Sequence, residues 1–223
     1  MRPHRVWSGD NLCLAGDCRE YLRGVGLYYL RHPAFEEAHR RIIEEYRPPR
    51  RFKLGLILPC SYGKPYSQSY IHYFIIKALK ETGRYDDIHQ IIVTNAGVVP
   101  RELDEYYPFS AYDWNPAYET PEIKEEYVRA LAERLEAYLS RHGQYYEKLA
   151  AYLRHDSDSI RAVRLVAEKL GLDIPNLAPE AVPPREVEEV SMGLPQYSGD
   201  PDVVLITPTA LESLKDGMLR LLG

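Results

Sequence analysis

Three short apolar segments along the chain predict buried strands. They cover residues 54–58, 88–94 and 203–207, and the first of them contains no polar side chain. Segments of this length and composition are typical of parallel sheets that are covered on both faces. The sequence therefore predicts a sheet with these three strands.

Around these segments, apolar residues recur every three to four positions, which predicts amphipathic helices. The predicted helices cover residues 33–47, 69–81, 121–139, 144–153, 158–170 and 208–222. Alternation of strands and helices favours an α/β fold with a mostly parallel central sheet. Helices are expected on both faces, with a helical elaboration before the last strand.

The remaining segments lack a clear period. Residues 10–15 and 26–29 are expected to form short strands or turns, and residues 173–200 a surface loop rich in Pro, Gly and acidic residues. Residues 106–118 form an aromatic, Pro-rich segment of the kind that lines pockets. No internal repeat is found, so residues 1–223 are interpreted as a single α/β domain.

Composition narrows the class of protein. The chain has 223 residues, of which 45% are hydrophobic and 27% charged, as in soluble globular proteins. No apolar run of about 18 residues predicts a membrane span, and the amino terminus has no apolar signal core, so a cytoplasmic location is expected. Scarce Asn and Gln, with abundant Glu, Arg and Tyr, favour a thermophilic source.

The charge balance does not favour a basic nucleic-acid binder, because the formal net charge is −5. Contact with RNA would need a partner or a local patch. One candidate cluster precedes the first strand and consists of Arg40, Arg41, Arg47, Arg50, Arg51 and Lys53. It is interpreted either as a solvated helix face and linker or as a phosphate-contacting patch.

Three cysteines, Cys13, Cys18 and Cys60, are too few for a disulfide framework. Cys13 and Cys18 could pair or bind a metal, but no second Cys/His pair follows at a zinc-site spacing. The preferred interpretation is free thiols, with no metal and no cofactor.

Reactive side chains are concentrated directly after the first predicted strand. Within fourteen residues of Pro59 the chain has the Cys60 thiol, the Lys64 amine and the His72 imidazole, besides phenols and hydroxyls. Ligands of open α/β sheets bind at the carboxyl ends of the strands. Gly97, Arg101 and Glu102 follow the second strand, so parallel strands would place the two segments side by side.

The spacing Pro59-Cys60-x-x-x-Lys64-Pro65-Tyr66-x-x-Ser69-x-x-His72 resembles the signature of the archaeosine synthases, archaeal enzymes related to tRNA-guanine transglycosylase. The second motif agrees, with Val93-Thr94-x-x-Gly97-x-Val99-Pro100-Arg101-Glu102-Leu103 followed by Tyr107-Pro108 and Tyr112-Asp113. The resemblance extends over residues 32–153, the motif-bearing core.

The resemblance implies chemistry at the nitrile of 7-cyano-7-deazaguanine in tRNA. An amine, by implication lysine, would add to the nitrile, and a partner radical enzyme would then release archaeosine. Two departures stand out. No transglycosylase-like or RNA-binding PUA domain is recognised, so tRNA binding is expected to need a separate protein, and Asn95-Ala96 replaces an expected Ser-Pro-type pair.

Candidate roles follow for the first motif. Cys60 is the candidate nucleophile, with a pKa lowered by Lys64 or His72, or else a small buried hydrophobic residue. His72 is the candidate acid or base, or else a helix-start histidine bonded to the backbone. Lys64 would bind a phosphate or carboxylate, or tune the Cys60 thiol. Ser69 would contact substrate or cap the helix.

The remaining candidates would bind substrate. Tyr66 and Tyr112 could stack on the base. Gly97 belongs to the second motif, Arg101 and Glu102 could form a structural ion pair, and Asp113 could bind the amine of lysine. Two other functions remain open, which are a base- or tRNA-binding subunit without chemistry and a base-processing, glycosylase-like enzyme on the same fold.

Overall fold

The computed structural model describes residues 21–194 and 199–223. The strands are β1 Leu22–Arg23, β2 Phe52–Pro59, β3 Ile88–Thr94, β4 Gly97–Pro100, β5 Tyr112–Asp113 and β6 Tyr146–Ala151. The helices are α1 Leu27–Leu30, α2 Pro33–Glu44, α3 Tyr70–Glu81, α4 Pro121–His142, α5 Asp158–Leu170, α6 Pro184–Gly193 and α7 Pro208–Leu222.

Four strands form the central sheet in the order β4-β3-β2-β6. β2 pairs in parallel with β3 on one side and with β6 on the other, and only the edge strand β4 is antiparallel. β1 and β5 form a separate parallel pair. The prediction of an α/β fold with a mostly parallel sheet is confirmed.

Helices cover both faces of the sheet. Alternate side chains of β2 enter two different hydrophobic clusters, with Leu56 and Leu58 in one and Ile57 in the other. The first cluster includes apolar residues of α3 and α7, and the second those of α2, α4 and α5. Each fully buried side chain of this kind contributes about 1.5–3 kcal/mol to stability, so β2 is the centre of the fold.

Local capping fixes several of the predicted helix ends. The hydroxyls of Ser69, Ser157 and Thr207 accept hydrogen bonds from the backbone amides three residues later, at the starts of α3, α5 and α7. Gly171 ends α5 in the left-handed conformation with φ 63°. In contrast, α2 stops at Glu44, before the predicted end at residue 47, and α4 continues to His142.

The prediction of a helix over residues 144–153 is wrong, because this segment contains β6. Tyr146 pairs with Phe52 and Ala151 with Ile57, in parallel register. Tyr146, Leu149, Ala150 and Ala151 are buried while Glu147 and Lys148 are exposed, a pattern that fits neither period clearly. A short segment of this kind is decided by pairing with β2, which its local sequence does not reveal.

The predicted strand over residues 203–207 is also wrong. Residues Pro201–Ile206 form a 3₁₀ helix, and the side chain of Asp200 accepts a hydrogen bond from the amide of Asp202 at its start. Leu205 and Ile206 are buried in the same cluster as α3 and α7. The segment is apolar because it packs under these helices, and a short apolar run does not distinguish that position from a strand.

Two further expectations are corrected. Residues 173–200 are not a plain surface loop, because they contain α6 and the buried residues Leu177 and Ala178. Residues 26–29 are not a strand, because helix α1 begins at Leu27. Residues 10–15, Cys13 and Cys18 lie outside the described residues. Within the described part of the chain, no helix has the length and apolar character needed to cross a membrane.

Candidate active site at the carboxyl edge of the sheet

A cleft of about 750 Å³ lies where the parallel strands end. Cys60 and Lys64 enter it from the loop after β2, and Asn95 from the turn after β3. The rest of the wall comes from the aromatic segment, the start of α4, the loop after β6 and residues 199–202. Pro59 and Val93 are paired across the two strands, so the loops that follow them begin at one edge. The second segment does not stay there as expected, because β4 carries Arg101 and Glu102 back along β3.

Cys60 is half-buried at this cleft. Burial raises the pKa of its thiol to about 12; the negative charge of Asp202 adds to the rise, and the Lys64 ammonium opposes it. The expectation of a lowered pKa is therefore wrong for the protein without substrate. Lys64 acts in the expected direction, but burial outweighs it, so the thiol is protonated at neutral pH.

The Lys64 amine lies over the ring of Tyr112, at 4.1 Å from its centroid, and 5.8 Å from that of Tyr66. Its Nζ also donates to the carbonyl oxygen of Tyr62 at 3.5 Å. Burial lowers the pKa of Lys64, while the Cys60 thiolate, where formed, would raise it. The amine and the thiol thus occupy one cleft, and each is shifted towards its neutral form.

Tyr66 and Tyr112 differ in their access to a ligand. Their hydroxyls are 2.6 Å apart and share a hydrogen bond. Both rings are buried, with 0% and 3% of the residue exposed, but Tyr112 lines the cleft and Tyr66 does not. Of the two predicted stacking residues, Tyr112 is the one that borders the cleft, and the Lys64 amine lies over its ring.

His72 contacts the carboxyl end of β2 from helix α3. Arg101 Nη2 donates to His72 Nδ1 at 2.6 Å, so Nε2 carries the proton and donates to the carbonyl of Pro59 at 2.9 Å. Burial lowers the pKa of His72 well below its usual value, and the charge of Arg101 adds to this. The ring is fully buried and does not line the cleft, which matches the alternative of a histidine bonded to the backbone.

Arg101 and Glu102 do not form the expected ion pair. Arg101 bonds the carboxylate of Asp104 at 2.9 Å, while Glu102 bonds His89 Nε2 at 2.9 Å. β4 reverses direction after β3, so it carries both residues away from the carboxyl edge. Neither residue lines the cleft.

Three other predicted site residues do not line the cleft and make contacts within the fold instead. Ser69 caps α3, with its Oγ accepting from the His72 amide at 3.2 Å. Gly97 has φ 124°, and a Cβ there would lie 2.0 Å from His39 Nε2, so the turn into β4 needs glycine. Asp113 accepts from the Tyr21 hydroxyl at 2.7 Å and from Arg23 Nε at 3.1 Å. The cleft thus includes Cys60, Lys64 and Tyr112 of the predicted set.

The sequence analysis missed the opposite wall of the cleft. Arg154 donates to Asp202 at 2.8 Å and to Asp156 at 2.6 Å. Burial raises the pKa of Asp202 to about 6, against the opposing effect of Arg154. The end of β6 at Ala151 could have indicated Arg154 as a cleft residue, because residues that follow a parallel strand lie at this edge. The mistaken helix over residues 144–153 concealed it.

No group of three or more His, Cys, Asp or Glu side chains suited to a shared metal ion occurs in residues 21–194 and 199–223. The chemistry available in the cleft is that of a thiol, an amine, carboxyl groups and aromatic rings. This set defines an α/β domain with a candidate active site at the carboxyl edge of its sheet.

A family model described as a domain of unknown function, DUF5591, matches residues 36–191. This match covers more than half of the chain, and the chain belongs to that family.

The relatives with names are archaeal. The chain is 38% identical over 145 residues to the archaeosine synthase subunit alpha of Methanosarcina acetivorans, with 64% of this chain and 21% of that protein covered. It is 30% identical over 151 residues to the same subunit of Thermococcus kodakarensis, covering 65% and 24%. The chain is therefore related to the archaeosine synthases, as its motifs suggested, and it spans about a quarter or less of the length of these two relatives.

One solved structure has a similar fold. The crystal structure of AF0587, a protein of unknown function, superposes with a TM-score of 0.52 at 19% identity, covering 80% of this chain and 48% of that one. At this identity the likeness concerns the fold alone.

Proposed function

We propose that this protein acts in tRNA modification for archaeosine biosynthesis, and that its cleft adds an amine to the nitrile of 7-cyano-7-deazaguanine. The observation that carries the proposal is the presence of Cys60 and Lys64 in one desolvated cleft beside Tyr112. A nitrile needs a nucleophile at carbon and a proton at nitrogen, and these two groups supply both. The names of the archaeal relatives support a role in archaeosine biosynthesis.

In the first step the Cys60 sulfur bonds to the nitrile carbon. The thiol proton passes by way of the Lys64 amino group to the nitrile nitrogen as the C≡N bond becomes C=N. The shifted pKa values suit this transfer, because burial disfavours a lone thiolate and a lone ammonium but not the pair formed together. Tyr112 would border the bound base at the cleft wall, with the Lys64 amine held over its ring.

In the second step the incoming amine, which we propose to be that of lysine, attacks the thioimidate carbon. The carbon–sulfur bond breaks, an amidine forms, and the sulfur recovers the proton that the amine loses. Direct addition of the amine without a covalent intermediate remains the alternative within this function, with Lys64 again supplying the proton to nitrogen. A separate RNA-binding or transglycosylase-like protein and a radical enzyme would be the partners.

The test is transfer of isotope-labelled lysine to tRNA that carries the cyano base, followed by mass spectrometry of the nucleosides. The full chain is assayed alone and with candidate partner proteins. Cys60→Ser should abolish the adduct and Lys64→Met should reduce it at least tenfold. Lys80→Met, on a lysine that lies over Tyr85 outside the cleft, should retain activity.

The variants separate the two routes. Activity retained in Cys60→Ser but lost in Lys64→Met would replace the covalent route by direct amine addition. Wild-type protein that transfers no lysine under any condition contradicts the proposed reaction.

A second candidate function is a base-binding subunit without chemistry. The raised pKa of Cys60 favours it, because a protonated thiol is a poor nucleophile. In that case the cyano base binds equally well to wild type and to Cys60→Ser, and no lysine is transferred by either.

A further inference from the structure

Four arginines surround the other end of the sheet, where β2 and β6 begin. Arg50 and Arg51 precede β2, Arg47 follows α2, and Arg141 lies in the last turn of α4. All four residues are exposed to solvent. We call these four residues the amino-edge arginine patch.

Each guanidinium of the patch bonds to a backbone carbonyl. Arg51 donates twice to Gln144, at 3.0 and 3.3 Å, and Arg141 donates to Ile43 at 3.3 Å. Arg47 and Arg50 bond the carbonyls of Tyr46 and Asp86. A guanidinium has five N–H donors, so these bonds leave most of its hydrogen-bonding capacity available.

The four arginines of the patch differ from the neighbouring basic residues in their ionic partners. Among the described residues, no carboxylate forms an ion pair with any of its four arginines. The neighbouring basic residues differ, because Arg40 pairs with Glu37 and Glu44, Arg41 with Glu37, and Lys53 with Asp87. The basic cluster of the sequence thus splits into a paired part, typical of a solvated helix face, and an unpaired part.

Hydrogen bonds connect the elements that carry the patch. The bonds from Arg51 to Gln144 and from Arg141 to Ile43 tie the starts of β2 and β6 to the ends of α4 and α2. Burial lowers the pKa of His142, and the charges of Arg47 and Arg141 both add to this, so the two arginines act on the same ring. Four arginines without a carboxylate partner among the described residues are therefore grouped at the starts of β2 and β6, in a chain whose net charge is −5.

We propose that the amino-edge arginine patch binds the phosphate backbone of RNA. Guanidinium groups match phosphate oxygens in a bidentate geometry and retain their charge at every physiological pH. A protein partner is less suited to this surface, because protein interfaces centre on aromatic and apolar side chains. None of the large exposed hydrophobic side chains of the described chain belongs to residues 46–52 or 141–145.

The patch and the cleft lie at opposite ends of one strand. Arg51 precedes β2 and Cys60 follows it, and β2 has 8 residues, so the two ends are separated by roughly 26 Å. An RNA of tRNA size is longer than this, so its backbone can be held at the patch while a base occupies the cleft. The proposal does not rest on the chemistry proposed for the cleft.

The experiment uses fluorescence anisotropy of an unmodified, labelled tRNA transcript. The patch variant carries Arg47→Gln, Arg50→Gln, Arg51→Gln and Arg141→Gln. The control variant carries Arg40→Gln, Arg41→Gln, Arg129→Gln and Arg185→Gln, all of which are paired with carboxylates in the protein. Both variants have the same net charge, so a difference between them reports the site and not the overall charge.

Wild type should bind with a Kd on the order of 10⁻⁵ M and a steep salt dependence. The patch variant should bind at least tenfold more weakly at low salt, and the slope of log K against log salt should fall by about three, as expected for four lost phosphate contacts. The control variant should lose clearly less affinity for tRNA than the patch variant. Thermal unfolding verifies that each variant is folded. If the patch variant does not fold, the single variants Arg51→Gln and Arg47→Gln are assayed in its place.

Three results would overturn the proposal. Equally weakened tRNA binding by both variants would show that binding depends on overall charge. Unchanged tRNA binding by the patch variant would show that the patch is not the binding site. Tighter binding of polyglutamate than of tRNA, lost in the patch variant, would identify an acidic protein partner instead. Because the transcript lacks the cyano base, failure of amine transfer leaves this result unaffected.

Discussion

The two ends of β2 show how burial decides what an ionisable group can do. At the carboxyl edge, Cys60, Lys64 and Asp202 are all shifted towards their neutral forms because the cleft is desolvated. At the amino edge, Arg47 and Arg51 are exposed and keep their charge. The first arrangement suits proton transfer and covalent chemistry, whereas the second suits long-range attraction of an anion.

Cys60 should show the largest effect. With a pKa of about 12, its thiol should react with iodoacetamide at pH 8 about a thousandfold more slowly than a free cysteine. The rate should rise tenfold per pH unit through pH 10. Lys64→Met should slow it further, because the ammonium favours the thiolate, while Lys80→Met should not. A plateau below pH 9 would show that the cleft does not suppress the thiolate.

His72→Ala should cost about 3 kcal/mol of unfolding free energy. It leaves the Pro59 carbonyl and the Arg101 guanidinium without their shared partner in the core. The matched variant is His155→Ala, which also loses a bond to a backbone carbonyl, that of Ala178, but at a half-buried site, and it should cost under about 1 kcal/mol. Urea unfolding measures both. Similar costs would mean that the carboxyl edge is not rigidly supported by His72.

Two carboxyl groups should respond to pH in opposite directions. Asp202 has a pKa raised to about 6, so its contribution to stability is present below about pH 4 and is lost as the pH rises through 6. Asp202→Asn should therefore gain stability relative to wild type between pH 4 and 7, by at most about 3 kcal/mol.

Asp87, near the amino edge, has a pKa lowered mainly by its bond to Arg84, so its contribution is present above about pH 4 and is lost as the pH falls. Asp87→Asn should destabilise at pH 7 and lose this effect in acid. Urea unfolding from pH 3.5 to 7.5 measures both variants. Parallel pH profiles for Asp202→Asn and Asp87→Asn would remove the electrostatic contrast between the edges.

The smallest expected effect is that of single arginine substitutions on the stability of the protein. Arg51→Gln and the paired Arg40→Gln should each change the unfolding free energy by less than about 0.5 kcal/mol, because exposed ion pairs and exposed polar contacts contribute little. Thermal unfolding measures the difference. A cost above about 1 kcal/mol for Arg51→Gln would indicate that its bond to Gln144 holds β2 and β6 together and that the patch is structural.

The parts of the fold that depend on local signals were predictable from the sequence. Helices α3, α5 and α7 have capping residues and a clear period, and the apolar segments of β2 and β3 are long enough to be recognised. β6 was not predictable in this way, because its 6 residues are specified by pairing with β2, which is almost a hundred residues away in the chain.

The candidate site followed the same division. The rule that ligands bind at strand ends located Cys60 and Lys64 correctly at the cleft, but sequence proximity gave no information on side-chain direction. His72 lies in the same motif and yet points under β2, and Arg101 follows β3 but is carried back by β4. Arg154 and Asp202 were missed because the strand and the 3₁₀ helix that position them were misassigned.

The discontinuous construction of the cleft has a consequence for the order of events during synthesis. Its walls come from residues 59–64, 95, 112–127, 153–159 and 199–202, so a nascent chain has no complete cleft until residue 202 has left the ribosome. β2 and β3 can pair early, but the parallel partner on the other side of β2 arrives only with β6, and such long-range pairing is slow. The thiol of Cys60, half-buried in the folded protein, therefore stays more exposed to solvent until residues 199–202 have been synthesised.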